Sequence, residues 1–386
     1  MKDMQSGVNG KIGAGQLGKL LYLFSLGSAA LIVPTAVVQI ARQDSWLSML
    51  LIIPLHYFII LIYLALANRF PNLSLAQYSQ HILGTWLGKV VTATYIFYFS
   101  MLCALVLRNM SDFIGKSVFP QTPEWFLSGT FMLVIVYGAY LGIETIGRTG
   151  DILFGWTLIV VFIISVALFN QMYGGHFLPV MGEGILQAMK GMYPVLGFPV
   201  AECVFLTVLL PLVQTEERSK LYAKLAAAVA VNGGISTVNV VMLIAVLGVS
   251  ETVRSPYAVY EMVKAINIED ILVRVEILFA VVWIGTVFMK LLLSFYTVTV
   301  LLGQFLHLRT YRPLVVPLGL FIVPLSIMVY RNSVQSTIFA MDIWTIYSVG
   351  QGVIMPLVLL LIAWARGARS EERGAFPSEV ANRTRS

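Results

Sequence analysis

Charge is what this sequence has least of. Asp, Glu, Lys and Arg together make up 11% of 386 residues, less than half the roughly 25% of a soluble domain. A water-soluble fold of this length could not cover itself with so few charges. Cysteine is nearly absent. Cys103 and Cys203 both lie in apolar runs, with neither a CxxC spacing nor a histidine partner. That excludes a disulfide framework and a thiolate metal site, and leaves both as small buried hydrophobes. Histidine is scarce too, and positions 56, 81, 176 and 307 are scattered. There is no P-loop, no GxSxG, no HExxH and no Ser/His/Asp set. The chain is therefore expected not to be an enzyme and to need no cofactor or metal.

What is abundant is apolar length. Hydrophobic residues make up 58% and the mean hydropathy is +0.85. Lipid is the solvent that fits such a composition. The net charge of +6 is not gathered into a basic face with interleaved aromatics, so nucleic acid is not expected as a partner. A bilayer core of about 30 Å takes about 20 apolar residues per helix. Read on that ruler, the sequence predicts an all-α, multi-pass membrane protein of about ten spans. They fall near 17–40, 46–67, 90–112, 125–142, 151–170, 185–213, 221–248, 273–305, 313–330 and 345–365. Residues 74–87 and 256–270 are amphipathic and are expected to lie along an interface.

The domain expectation is a cytoplasmic segment 1–16 and a membrane domain 17–366, with halves of about 17–170 and 185–366. A disordered cytoplasmic tail, 367–386, follows. No cleavable leader is visible, and the first apolar run is long enough to remain as a span. Placing the N-terminus inside puts 16 of the 25 Lys and Arg residues on one side and 8 on the other, with Lys290 in mid-helix. The excess predicts that both termini are cytoplasmic.

Two spans are interrupted. The first contains Gly27, Ser28 and then Pro34; the sixth contains Gly191, Pro194, Gly197, Phe198 and Pro199. Proline removes a backbone donor, and glycine permits unwinding. Inside lipid, freed backbone groups are tolerated only where they are buried in protein or line a cavity. Breaks in the first and sixth spans, each the first of a five-helix half, predict a 5+5 inverted-repeat transporter fold with a site near midplane. Half-helix N-termini at such breaks favour a carboxylate, so a free amino acid is the simplest guest.

Ionisable residues inside spans are costly and are usually functional. Glu202 follows the sixth-span break at a spacing that shares its face. Lys290 lies deep in the eighth span, two turns from Trp283 and on the same face. The two are expected to act as an ion- or proton-coupling pair. The alternatives are a purely structural pair, or Lys290 snorkelling to the interface. Arg108 and Asp112, at i and i+4, read as a structural pair, as do Glu144 and Arg148 in a short cytoplasmic loop.

Several stretches then fall in a familiar order. Ser25 to Pro34 precedes Asp44-Ser45-Trp46-Leu47, and Phe70-Pro71 runs to Leu83-Gly84. Arg108 is followed by Thr122-Pro123, and Gly142-Ile143-Glu144 by Arg148. Pro179 to Gly184, Glu202, and Arg274-Val275-Glu276 to Trp283-Ile284 complete the series. Over roughly residues 12–366 the chain resembles the B subunits of endospore germinant receptors. These are the spore germination permeases of the amino acid–polyamine–organocation superfamily.

That resemblance implies a subunit in the spore inner membrane, a bacterial cell membrane, working with a receptor A subunit and a lipoprotein C subunit. It would sense a small nutrient, usually an amino acid, and trigger germination. It also implies a ligand held between spans one, three, six and eight, near Gly27, Ser28, Leu102, Pro199 to Glu202 and Met289. Gly197, Phe198 and Trp283 join this set from the breaks and faces above. Lys290 departs from some family members, which carry a neutral residue there. A secondary amino acid transporter, coupled to protons through Glu202 and Lys290, is the other reading.

Overall fold

The computed structural model describes residues 10–27, 29–182, 184–255, 257–266, 275–330, 335 and 339–369. The chain is all-helical in architecture. Among the described residues, eight runs are long and apolar enough to cross a membrane. One of them, 29–69, turns at Arg42 (φ 49°) and holds two spans. With the shorter apolar helix Arg312–Met328 the described residues give ten. Span one is Ala14–Leu26 followed by Ala29–Ala41; spans two to five are Ser45–Arg69, Thr85–Ser117, Glu124–Leu141 and Ile143–Leu168. Span six runs over 185–212 in short pieces. Span seven is Leu221–Arg254, span eight Val275–Phe305, span nine Arg312–Met328, and span ten runs over 339–365.

The interior is apolar, and so is much of the outer surface. Leu133, Phe162 and Leu320, on spans four, five and nine, each leave at least 70% of their surface uncovered. Only hydrocarbon can cover so much apolar surface at low cost. Spans three, six and eight form the core. Four of their hydroxyls are satisfied within the helix: Thr92, Ser100, Ser294 and Thr297 each donate to the carbonyl four residues earlier.

Two boundaries differ from expectation for one reason. Span five starts at Ile143, not near 151, so Glu144 and Arg148 belong to its first turns and not to a loop. The connection from span four is a tight turn at Gly142, φ 94°, which a side chain would oppose. Span three likewise extends beyond 90–112 to cover Thr85–Ser117. Hydropathy registers the apolar stretch inside the bilayer, while the helix continues into its polar ends. The stretch 74–87 resolves into the cross-helix Leu75–Leu83, begun by Gln77 accepting from the Ser74 amide at 3.0 Å, and then Gly84. The stretch 256–270 contains the helix Ala258–Lys264, while Pro256 and residues 267–270 lie outside the described residues. So do residues 1–9 and 370–386 of the expected terminal segments.

The terminus side of span one is stitched down. Ile12 pairs with Val213 in a short parallel bridge: Ile12 donates to the Leu212 carbonyl at 3.1 Å, and Gln214 donates back to Ile12 at 3.0 Å. The Ala14 amide donates to Glu217 at 2.6 Å, and Lys19 pairs with Asp151 of span five at 2.7 Å. Arg108 and Asp112 pair at 3.2 Å, and Arg108 also meets Glu124 of span four at 2.5 Å. Because Arg108 is nearly buried among these acids, Arg108→Ala is expected to destabilise the protein by about 3 kcal/mol, the cost of stranding buried charge. Denaturation of the purified protein checks this; an unchanged midpoint would mark the cluster as solvated.

Candidate functional site

Both breaks are present, and they meet. Span one stops at Leu26, and Gly27 takes φ −1°, ψ −129° before the helix resumes at Ala29. Ser28 lies outside the described residues. In span six the interruption is narrower than the sequence suggests. Met192–Val195 is helical, and the break centres on Phe198, at φ −149°, ψ 101°.

Lys290 fills the space where the breaks face each other. Its Nζ lies 2.5 Å from Glu202 Oε2, with both side chains fully buried. The ammonium sits 4.1 Å from the Phe198 ring centre and 5.2 Å from that of Phe24. Gly27 makes room for the stem, since a Cβ there would stand 2.7 Å from Lys290 Cδ. The other carboxylate oxygen of Glu202 accepts from Trp344 Nε1 at 2.8 Å. Trp344 in turn stacks on Tyr98 of span three at 5.1 Å, and the Tyr98 hydroxyl meets Ser348 Oγ at 2.7 Å. The result is a compact neutral unit tying spans one, three, six, eight and ten. Taking two charges out of water is costly, and mutual attraction with further hydrogen bonds offsets that cost only in good geometry. Both Glu202 oxygens have such partners here.

Beyond this unit, away from the termini, lies a cavity of about 80 Å³. Its inner end is formed by Ser25, Pro199 and Thr286, and Ala29 and Ala30 at the start of the second half-helix also line it. Among the described residues, three polar atoms of its lining lack partners: His56 Nε2 of span two, Asn239 Oδ1 of span seven and Trp283 Nε1 of span eight. His56 and Trp283 are only 5% and 2% exposed. Buried polar groups normally find hydrogen bonds, so three orphans in the lining of one space make it the candidate place for a guest.

The structure sorts the expected site residues into three groups. Gly27, Phe198, Glu202 and Lys290 come together in the ion-paired unit, and Pro199 and Trp283 reach the cavity. Leu102, Gly197 and Met289 do not reach it. Leu102 is buried in the core, and Gly197 faces Thr345 of span ten. Met289 Cε packs 3.6 Å from where a Cβ on Gly150 would stand. The cavity lies among spans one, two, five, six, seven and eight, with no described residue of span three in its wall. The cavity thus differs in its walls from the expected quartet of spans one, three, six and eight. The physical reason is that Tyr98 and Trp344, stacked against the ion pair, occupy the room between spans three and six.

Sequence reasoning missed Trp344, His56 and Asn239. Trp344 is one apolar residue in an apolar run, and helix period cannot supply its partner on another span. His56 carried a usable signal as the one histidine inside a long span. Asn239 shares one face of span seven with Asn232, seven residues earlier.

Comparison with known proteins agrees with this architecture. The model of a family described as "Spore germination protein" matches residues 11–336. Spore germination protein KB of Bacillus subtilis (strain 168) is 26% identical over 369 residues, covering 94% of this chain and 98% of its own length. Spore germination protein YndE of the same organism is 26% identical over 301 residues, covering 76% and 81%. Among solved structures, MhsT in complex with L-phenylalanine superposes with a TM-score of 0.67 at 9% identity, covering 92% of this chain and 99% of that one. Mhp1, a nucleobase-cation-symport-1 family transporter in a closed conformation with bromovinylhydantoin bound, gives 0.64 at 12% identity, covering 92% and 80%. At such identities the likeness is one of fold.

Proposed function

The chain belongs to the spore germination protein family, and from that premise we propose that it is the nutrient-binding membrane subunit of a germinant receptor. The carrying observation is the cavity against the two breaks, with His56 Nε2 and Trp283 Nε1 both unpaired. A free amino acid suits it. The first amides of a helix have no partner within it and carry partial positive charge. The carboxylate would rest against those at Ala29 and Ala30, with Trp283 donating to it. The amine would donate to His56 Nε2.

Small-molecule sites are on the order of 300–1,000 Å³, and this cavity is about 80 Å³. It must widen to take its guest, so the guest binds a wider conformation better than the present one. That differential affinity is what a receptor needs in order to shift an equilibrium. Partner A and C subunits would read the change in the spore inner membrane, with both termini of this chain cytoplasmic.

A thermal-shift screen of the purified protein against amino acids, sugars and nucleosides tests the reading. One class should stabilise it, and His56→Leu should weaken that ligand on the order of tenfold, the loss of a hydrogen bond to a charged group. Stabilisation unchanged in His56→Leu would move the site elsewhere. In spores at matched protein levels, Glu202→Ala should depress nutrient sensitivity more than Glu144→Ala; equal effects would count against the buried pair.

The transporter-like fold favours a second reading, secondary transport of an amino acid. Accumulation of labelled substrate in proteoliposomes by the isolated subunit would establish it and displace the receptor-only view.

A further inference from the structure

A second cavity, of about 570 Å³, opens through the side of the molecule between spans five and seven. Its walls are apolar, built from residues such as Leu158 and Phe162 of span five and Val231 and Val238 of span seven, and Val259 and Met262 of the short helix Ala258–Lys264 also line it. Phe162 and Val238 are exposed on the flank that faces lipid. This groove abuts the central cavity, and the two share Val161, Ile164, Ile235, Asn239 and Phe279 in their walls.

The junction is where the chemistry lies. Asn239 Oδ1 is buried there without a partner, and a carboxamide oxygen can only accept. Among the described residues, no Asp, Glu, Lys or Arg lines the groove. A charged head group entering from this side would meet no counter-ion and would be costly to desolvate. A pure hydrocarbon would leave Asn239 unpaired. Gly234 lines the groove, and a Cβ there would meet nothing within 4 Å, so the floor of the groove is open at that point.

We propose that the groove between spans five and seven is a binding site for an uncharged amphiphile taken from the bilayer. Its hydroxyl or primary amide donates to Asn239, and its alkyl chain lies along the groove. This site is separate from the nutrient reading, in which a water-soluble guest sits against the breaks.

The test is photolabelling of the protein in nanodiscs with an octan-1-ol bearing a diazirine, followed by peptide mapping. Label is expected on spans five and seven around Phe162 and Val238, competed by octan-1-ol and octanamide but not by octanoate or octylamine. Asn239→Leu should weaken labelling about fivefold, the worth of one hydrogen bond. Gly234→Phe, whose Cβ would enter open space, should abolish it, and Val231→Trp, one turn earlier on the same span, should do the same. Label spread evenly over the lipid-facing helices, including Leu133 of span four, would overturn the proposal. So would competition by phospholipid acyl chains as effective as that by octanol, or labelling unmoved by all three variants. The nutrient thermal shift of Gly234→Phe is expected to match wild type, which keeps the two sites' outcomes apart.

Discussion

Lys290→Met is expected to remove most of the folded protein from the membrane, and Glu202→Gln combined with Lys290→Met to bring it back. With Lys290 gone, the Glu202 carboxylate keeps its Trp344 bond but loses the one cation bonded to it among the described residues, in a site that water does not reach. Breaking a buried pair from one side costs about 3–5 kcal/mol, whereas replacing both members with neutral groups of similar volume is often tolerated. Fluorescence-detected size exclusion of tagged variants, followed by denaturation of those that survive, reads both effects. Wild-type stability in the single variant would mean the pair is solvated after all. The double variant also separates scaffold from switch. Once folding is restored, spores carrying it are expected to respond poorly to nutrient, because the charge that links the two breaks is gone. A normal response would reduce the pair to a structural tie.

Gly197→Ala is expected to be the most damaging single-methyl change at the breaks. An added Cβ would stand 2.6 Å from the Cα of Thr345 and 2.5 Å from its Cγ2. Backbone on a packed helix cannot step aside, so span ten itself must move, and overpacking of this kind costs about 1–3 kcal/mol. Gly27→Ala makes a useful contrast. Its nearest obstacle is Lys290 Cδ at 2.7 Å, on a flexible side chain, although Phe24 O at 3.0 Å adds a firmer one. The Gly27 variant should therefore lose less stability than the Gly197 variant while still disturbing the ion pair. Thermal midpoints of the two purified variants decide the order, and a reversed order would show that the helix-one break is the more rigid.

The architecture was legible because lipid imposes a simple rule on composition. Runs near twenty apolar residues, with Gly and Pro grouped in the first and sixth, lead directly to ten helices and two breaks. Glu202 and Lys290 stood out because charge inside a span is rare, and they do meet. The span-five start was lost where Glu144, Arg148 and Asp151 lowered the apolar average of a helix already under way. The cavity wall was harder still. Helix periodicity places Met289 and Lys290 100° apart, but it does not say which of the two points at a neighbour's break. Trp344 and Tyr98 close the span-three side through a stacking contact between residues more than two hundred positions apart, and no local pattern carries that information.

The stitching at the start of span one sets a direction for mechanical work. Ile12, Ala14 and Lys19 are tethered to the end of span six, to Glu217 and to span five, so Ala14–Leu26 behaves as a fixed arm with Gly27 as its pivot. The half beyond the pivot, Ala29–Ala41, packs against span seven and the helix Ala258–Lys264, and Gln187 donates to its Ile40 carbonyl. On the proposed reading, a guest that displaced this half would move the face around Arg42, where a neighbouring subunit would have to grip to feel it.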